Sequence, residues 1–102
     1  MDIGTLKTIL SPILESHGAE KAILFGSYAR STEDKRSDVD LIIIDEENLP
    51  YLKRLDKYFN DISDVLKMPL DIFVYKRDEF EEMKQGCFVR QAVEEGVTLY
   101  ER

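Results

Sequence analysis

Two aspartates that share one face of a short apolar strand are the clearest chemical feature of the sequence. Asp38 and Asp40 come directly before the aliphatic run Leu41–Ile44. Residues two apart on a strand project from the same face, about 6.6 Å apart along the chain. Because two ionised carboxylates are costly to bury unless a cation or hydrogen bonds compensate them, this spacing predicts that both converge on one metal ion.

A third carboxylate repeats this pattern. Asp71 lies near the start of another apolar run, Pro69–Tyr75. If this run forms a strand beside the first one and in the same direction, the three carboxylates cluster. All-oxygen ligands suit Mg²⁺ or Mn²⁺, and three carboxylates can hold two such ions for an in-line displacement at phosphorus. We therefore interpret Asp38, Asp40 and Asp71 as candidate metal-binding and catalytic residues.

A Gly-Ser pair precedes the aspartates in a setting that suits phosphate. Gly26 and Ser27 follow the apolar run Lys21–Phe25, and the letters SYAR, from Ser27 to Arg30, are compatible with a first helical turn. Glycine permits close approach of the backbone, and free amides at a helix start donate to phosphate oxygens. The segment does not fit a P-loop, because no Gly-Lys-Ser/Thr occurs. Gly-Ser pairs are common in turns, so this pair gains its meaning only together with the aspartates.

The elements that must position these residues alternate along the chain. Apolar residues at intervals of three and four predict a first helix from Asp2 to His17, ended by Gly18. We expect a kink or break near Ser11, because Pro12 removes a backbone hydrogen bond. Apolar runs predict three buried strands, at Lys21–Phe25, Asp38–Asp45 and Pro69–Tyr75.

A long helix and three shorter elements complete the pattern. The long helix is expected to begin at Asn48 as its N-cap and to continue to Leu66, with a solvent-facing side formed by Lys53, Arg54 and Lys57. Two short helices around Gly86 follow, and the letters VTLYE after Gly96 predict a last edge strand. This order predicts an α/β or α+β fold, a small mixed sheet of three to four strands packed with helices, in one domain over residues 1–102.

Composition weighs against several kinds of partner. The chain has 102 residues and a formal net charge of -7, which opposes unspecific binding to a nucleic-acid backbone. It has no apolar run of about 18 residues and no features of a secretion signal at its amino terminus, so we expect a cytoplasmic protein without a membrane span. The single cysteine, Cys87, is expected to be a small hydrophobic residue that is buried or half-buried.

The segment GSYARSTEDKRSDVD resembles the signature of the DNA polymerase β-like nucleotidyltransferase superfamily. Gly26 and Ser27 are followed by ten residues and then by Asp38 and Asp40. With the letters FGSYAR and this length, the chain is similar over nearly its whole extent to the minimal nucleotidyltransferase (MNT) family. The resemblance implies the nucleotidyltransferase fold. Members of that family are often antitoxins that are paired with a HEPN-domain toxin.

The resemblance also implies a role for each residue of the motif. Gly26 and Ser27 would hold the triphosphate of a nucleotide, and Asp38 and Asp40 would bind two Mg²⁺ ions. Asp71 would bind the ion that activates the acceptor hydroxyl and would accept its proton. The implied activity is transfer of a nucleoside monophosphate, most simply AMP from ATP, to a tyrosine of a HEPN ribonuclease, with release of pyrophosphate.

One loop and two alternatives stay open at this point. Arg30 would reach a phosphate or pair with a carboxylate, and Ser31 stands where the family has glycine. The first alternative to nucleotidyl transfer to a toxin is a binding module that neutralises its partner by contact, and the second is nucleotidyl transfer to a small molecule. Direct binding of nucleic acid is not expected, and whether the chain forms a homo-oligomer is left open.

Overall fold

The computed structural model describes residues 2–29 and 38–102. Within these ranges the chain forms four helices and four strands. In chain order they are α1 Ile3–Ser16, β1 Lys21–Phe25, β2 Val39–Ile44, α2 Tyr51–Leu66, β3 Leu70–Tyr75, α3 Arg77–Met83, α4 Cys87–Glu95 and β4 Val97–Glu101. None of the helices in this described part is long and apolar enough to cross a bilayer.

The strands form one mixed sheet in the order β3-β2-β1-β4. β1 is antiparallel to both of its neighbours, β2 and β4. β2 and β3 are parallel, and α2 is the crossover that returns the chain so that both strands run the same way. The predicted mixed sheet is therefore confirmed, with β4 at one edge as expected. Because parallel strands begin at the same end of a sheet, the residues that open β2 and β3 are brought together.

Both faces of the sheet are covered by helices. α1 and α2 pack on one face, where Leu10, Tyr58 and Leu41 belong to one apolar cluster. α3 and α4 pack on the other face, where Ile42 and Phe80 belong to a second cluster. Alternate residues of β2 enter the two clusters, as the period of two in a strand requires. This double cover explains why the run before Asp45 is continuously aliphatic.

α1 is continuous through its proline, so of the kink or break predicted near Ser11 the break is wrong. Pro12 is exposed and lies away from the buried residues of the helix, so its missing N–H is lost on the solvent side. The predicted end of the helix is confirmed. Gly18 has a φ of +82°, and the N–H of Ala19 donates to the carbonyl of Leu14 at 3.0 Å, which closes the last turn.

α2 begins later than the sequence predicts. Its N-cap is Pro50, and no side chain caps its first turn. Asn48 instead accepts a hydrogen bond from the ammonium of Lys76 at 2.8 Å. The amide side chain thus links the entrance of α2 to the residue before α3, and its predicted role as N-cap is wrong.

Arg54 is buried, although it was expected on the solvent-facing side of α2. Only 6% of its surface is exposed. Its guanidinium donates to both carboxylate oxygens of Glu79, at 2.5 and 3.2 Å. It also donates to the backbone carbonyls of Leu49 and Val74. This one side chain therefore ties α2 to β3 and to α3.

Asp45, immediately after β2, is the acceptor of a buried hydrogen-bond network. It is 2% exposed and accepts from the Lys57 ammonium at 2.8 Å, the Tyr58 hydroxyl at 2.5 Å and the N–H of Glu47 at 2.8 Å. Burial by itself would raise the pKa of Asp45, but these hydrogen bonds outweigh it and hold the pKa below its ordinary value. Asp45 therefore anchors the carboxyl end of β2, opposite the end at Asp38, to α2.

Cys87 is exposed at the first position of α4. The expectation of a buried or half-buried cysteine is therefore wrong. The buried residues of α4 are Val89 and Ala92, and at 3.6 residues per turn Cys87 lies on the opposite side of the helix.

Candidate active site

Three aspartate side chains meet at the end of the sheet where β2 and β3 begin. Asp40 lies directly opposite Asp71 in the parallel register of the two strands. Asp38 precedes β2, and one carboxylate oxygen from each of the three residues lies within 4.8 Å of the others. The structure therefore brings together all three residues that the sequence indicates as metal ligands. They meet because β2 and β3 run in the same direction, which was the condition of that prediction.

The donor set of this group suits a hard divalent cation. Asp38 and Asp40 are half-buried and Asp71 is exposed, so the group is accessible from solvent at β3. Ligands that are all oxygen, with positions left for water or substrate, are those that Mg²⁺ and Mn²⁺ prefer. Carboxylates this close repel one another, and a shared cation relieves that repulsion.

Gly26 stands against the carboxylate of Asp40. Phe25, the last residue of β1, is the register partner of Asp40, and the chain turns at Gly26 with a φ of +76°. A Cβ placed on residue 26 would lie 2.2 Å from Oδ2 of Asp40, which is far shorter than a van der Waals contact between carbon and oxygen. Only glycine therefore allows both this backbone conformation and the position of the carboxylate.

The residues after Gly26 form a turn and not a helix as far as the structure describes them. Ser27 and Ala29 are half-buried, and Tyr28 between them is buried in the cluster beneath α1 and α2. Arg30, the predicted phosphate or carboxylate contact, and Ser31 lie outside the described residues.

An aromatic group beside the carboxylates was not anticipated from the sequence. Phe25 and Phe73 share the α4 face of the sheet, and Phe88 of α4 contacts both, at ring-centroid distances of 5.9 and 5.5 Å. Phe73 lies two residues after Asp71 on the same strand, so the period of two places both on one face. That signal was available in the sequence, whereas the contact with Phe88 depends on how α4 packs.

The chain matches known proteins in sequence. Residues 8–102 match the family described as polymerase beta, nucleotidyltransferase. A protein of Methanocaldococcus jannaschii named "Putative protein adenylyltransferase" is 36% identical over 77 residues, which are 74% of this chain and 80% of the relative. A second protein of that organism with the same name is 37% identical over 81 residues, which are 74% of this chain and 77% of the relative.

Solved structures share the fold. One described as a "putative minimal nucleotidyltransferase" has a TM-score of 0.67 at 25% identity, and the match covers 95% of each chain. A toxin–antitoxin structure with AMP-PNP has a TM-score of 0.69 at 19% identity, covering 94% of this chain and 73% of the other. A tri-AMPylated HEPN toxin of Shewanella oneidensis in complex with its MNT antitoxin gives a TM-score of 0.65 at 16% identity, covering 98% of this chain and 73% of the other. These likenesses confirm the predicted fold.

Proposed function

This chain belongs to the polymerase beta nucleotidyltransferase family, and we propose that it transfers AMP from ATP to a tyrosine of a HEPN-type ribonuclease toxin and thereby acts as an antitoxin. One observation carries the proposal: Asp38, Asp40 and Asp71 converge within 4.8 Å at a point where Gly26 leaves room for nothing larger than hydrogen. The names of the curated relatives support adenylyl transfer, and the toxin–antitoxin neighbours support the kind of partner.

The order of the strands gives the substrate a direction. Across the sheet, Gly26 at the end of β1 is followed by Asp40 on β2 and then by Asp71 on β3. In this proposal the β- and γ-phosphates lie against the turn at Gly26 and Ser27, where the lack of a side chain at Gly26 lets the backbone approach the phosphate oxygens closely. The α-phosphate lies over Asp40, and the acceptor hydroxyl approaches from the exposed side, at Asp71.

The transfer is a single exchange at phosphorus. The acceptor oxygen forms a bond to the α-phosphorus of ATP, while the bond from that phosphorus to the bridging oxygen of pyrophosphate breaks on the opposite side. Asp71 takes the proton of the hydroxyl, and pyrophosphate leaves toward Gly26. Asp38, Asp40 and Asp71 would hold two Mg²⁺ ions, whose positive charge would lower the pKa of the hydroxyl and neutralise the phosphates.

The net charge of the chain accounts for the need for a cation. A formal charge of -7 repels a triphosphate, and the carboxylate group is itself anionic. A bound divalent ion reverses the sign of the field at the place where the phosphates must lie. The proposal therefore requires that nucleotide binding depend on added Mg²⁺.

The test is adenylylation of a co-purified partner. The chain and the proteins that co-purify with it are incubated with each nucleoside triphosphate and Mg²⁺, and intact masses are recorded. We expect one protein to gain the mass of AMP with ATP, and Asp38→Asn to abolish the gain. Asp64→Asn, an exposed position on α2, should leave it unchanged. Undiminished transfer by Asp38→Asn would refute the assignment of the site.

Neutralisation by contact alone is the alternative function. The neighbours that are described as toxin–antitoxin complexes show that proteins of this fold are found with toxins. A double variant, Asp38→Asn with Asp40→Asn, separates the two functions. If the double variant still fully protects cells that produce the toxin, neutralisation by contact is favoured. If protection is lost while the variant still forms a complex with the toxin, adenylyl transfer is favoured.

A further inference from the structure

A small cavity adjoins the carboxylate group on its β1 side. It is open to solvent and has a volume of about 150 Å³ between the end of β1 and one face of α4. Its walls are Phe25, Gly26, Phe88, Gln91, Ala92 and Glu95. Gly26 is also the residue that stands against Asp40, so the cavity and the carboxylates share a wall. Its volume suits a single ring system, since pockets for drug-sized molecules begin at about 300 Å³.

The ring of Phe88 is held in place at the rim of this cavity. It is 54% exposed, yet it packs edge-to-face against Phe25 and against Phe73. A ring that two neighbours hold loses little further freedom when a ligand covers it. Phe88 thus offers a fixed aromatic surface directly beside a site for phosphates.

The walls of the cavity suit a nucleobase better than a phosphate. Among the described residues that line it there is no lysine or arginine, and the one charged side chain there is the carboxylate of Glu95, which accepts a hydrogen bond from the amide of Gln91 at 3.4 Å. The remaining wall is aromatic and aliphatic apart from the amide of Gln91, which can both donate and accept. These walls suit an uncharged, flat, hydrogen-bonding group.

We propose that this cavity is the nucleobase subsite, with the base against the ring of Phe88 and the amide of Gln91 at the edge of the base. The inference rests on the proposed function, which places a nucleoside triphosphate at Gly26. Glutamine pairs with adenine through the N6 and N7 positions, so the subsite favours ATP over other nucleotides.

The acceptor tyrosine is the other aromatic ring that the reaction brings to this site. The position of the cavity opposes that assignment, because it opens beside Phe25 of β1 and the adjoining Gly26, although Phe88 also contacts Phe73 of β3. Asp71, which faces the acceptor in the proposed function, lies on β3 beyond Asp40. A base that belongs to the nucleotide must lie on the nucleotide's side of Asp40.

Binding of two ligands to the isolated chain tests the inference. One ligand is α,β-methylene-ATP, whose base is intact and whose α–β linkage cannot be cleaved, and the other is inorganic tripolyphosphate, which has no base. Both are titrated calorimetrically with Mg²⁺. We expect Phe88→Ala to weaken binding of the ATP analogue by a factor of about 5 to 150, the range for removing one base–aromatic stack. Binding of tripolyphosphate should be unchanged.

Two further variants sharpen the result. Phe88→Tyr keeps the ring and should keep the affinity for the analogue. Leu52→Ala removes a large side chain that is 72% exposed on α2, on the opposite face of the sheet, and should have no effect. Circular dichroism of each variant establishes that α4 is intact.

The outcomes separate the inference from the function on which it rests. If the wild type binds the analogue and Phe88→Ala binds it equally well, the nucleobase subsite is refuted while the nucleotidyltransferase proposal stands. If Phe88→Ala weakens both ligands equally, the ring does not contact the base, and the inference is again refuted. If the wild type binds neither ligand in the presence of Mg²⁺, both the subsite and the proposed function fall.

Discussion

The backbone at Gly26 and the carboxylate of Asp40 occupy adjoining space with no room for a methyl group between them, since a Cβ on residue 26 would lie 2.2 Å from Oδ2. We expect Gly26→Ala to displace that carboxylate and to abolish both Mg²⁺ binding and adenylyl transfer. Unfolding monitored by circular dichroism, together with titration of Mg²⁺, checks this. A variant that folds and binds Mg²⁺ normally would contradict the close approach.

Gly18→Ala is the matched control for that substitution. Gly18 has nearly the same φ, +82° against +76° at Gly26, but no atom lies within 4 Å of a Cβ placed on it. Its substitution therefore reports the backbone strain alone, about 1 kcal/mol of unfolding free energy. We expect Gly18→Ala to lose about that much stability and to keep full activity. The extra loss in Gly26→Ala measures the clash with Asp40.

Mg²⁺ is expected to stabilise the fold through the three carboxylates. A ligand that binds only the native state at ten times its dissociation constant adds about 1.4 kcal/mol to the unfolding free energy, which raises the melting temperature by several degrees. Asp71→Asn should lose most of this increase, because one of three charged ligands is gone. Asp64→Asn should retain it. Thermal melts with and without Mg²⁺ measure the difference. Equal increases in the melting temperature of the wild type, Asp71→Asn and Asp64→Asn would exclude this metal site.

The stability that Asp45 contributes should depend on pH. Its folded pKa is held below the ordinary value of 3.8, so the contribution is complete above that value and is lost as the pH falls through the folded pKa. We expect Asp45→Asn to cost about 2 kcal/mol of unfolding free energy at pH 7, because three hydrogen bonds to a charged group are weakened. The difference between wild type and variant should shrink below about pH 4, as urea unfolding at several pH values would show. A difference that stays constant down to pH 3 would contradict the role of the charge.

Substitution of Arg54, which pairs with Glu79, tests whether a guanidinium is required where α2, β3 and α3 meet. Lysine has one ammonium and cannot donate to two carboxylate oxygens and two carbonyls in the same geometry. We expect Arg54→Lys to lower the unfolding free energy by about 1 to 3 kcal/mol. The reverse exchange at the neighbouring exposed position, Lys53→Arg, should stay within about 0.5 kcal/mol. Equal effects of the two exchanges in urea unfolding would show that the buried contacts of Arg54 are weak.

The parts of the fold that follow from local periodicity could be predicted from the sequence. The bounds of β1 are those of the apolar run Lys21–Phe25, and the strand at Val39–Ile44 lies within the predicted Asp38–Asp45. The prediction that Asp40 and Asp71 lie together was conditional, because the composition of two apolar runs does not indicate whether the strands they form are parallel or antiparallel. The parallel pairing supplied that condition.

The errors arose where a contact distant in sequence decides the outcome. Arg54 lies four residues before Tyr58 and therefore on the buried face of α2, but a charged residue there is predictable only when Glu79 and the carbonyl of Val74 are known to cover it. Asn48 has the composition of an N-cap, yet Lys76 engages its side chain. Pro12 leaves the carbonyl of Thr8 without its helical hydrogen bond, and both residues are exposed, so water can satisfy that carbonyl.

The crossover through α2 also sets when the site can form. Asp40 and Asp71 are far apart along the chain, and they become neighbours only after the second of two parallel strands docks at the border of the sheet. Such pairing is slow, because a long loop must close before any contact compensates its entropy. A chain still emerging from the ribosome, folded through α2 but not yet through β3, holds two carboxylates and no third. Catalytic competence should therefore appear only after β3 has emerged and paired with β2.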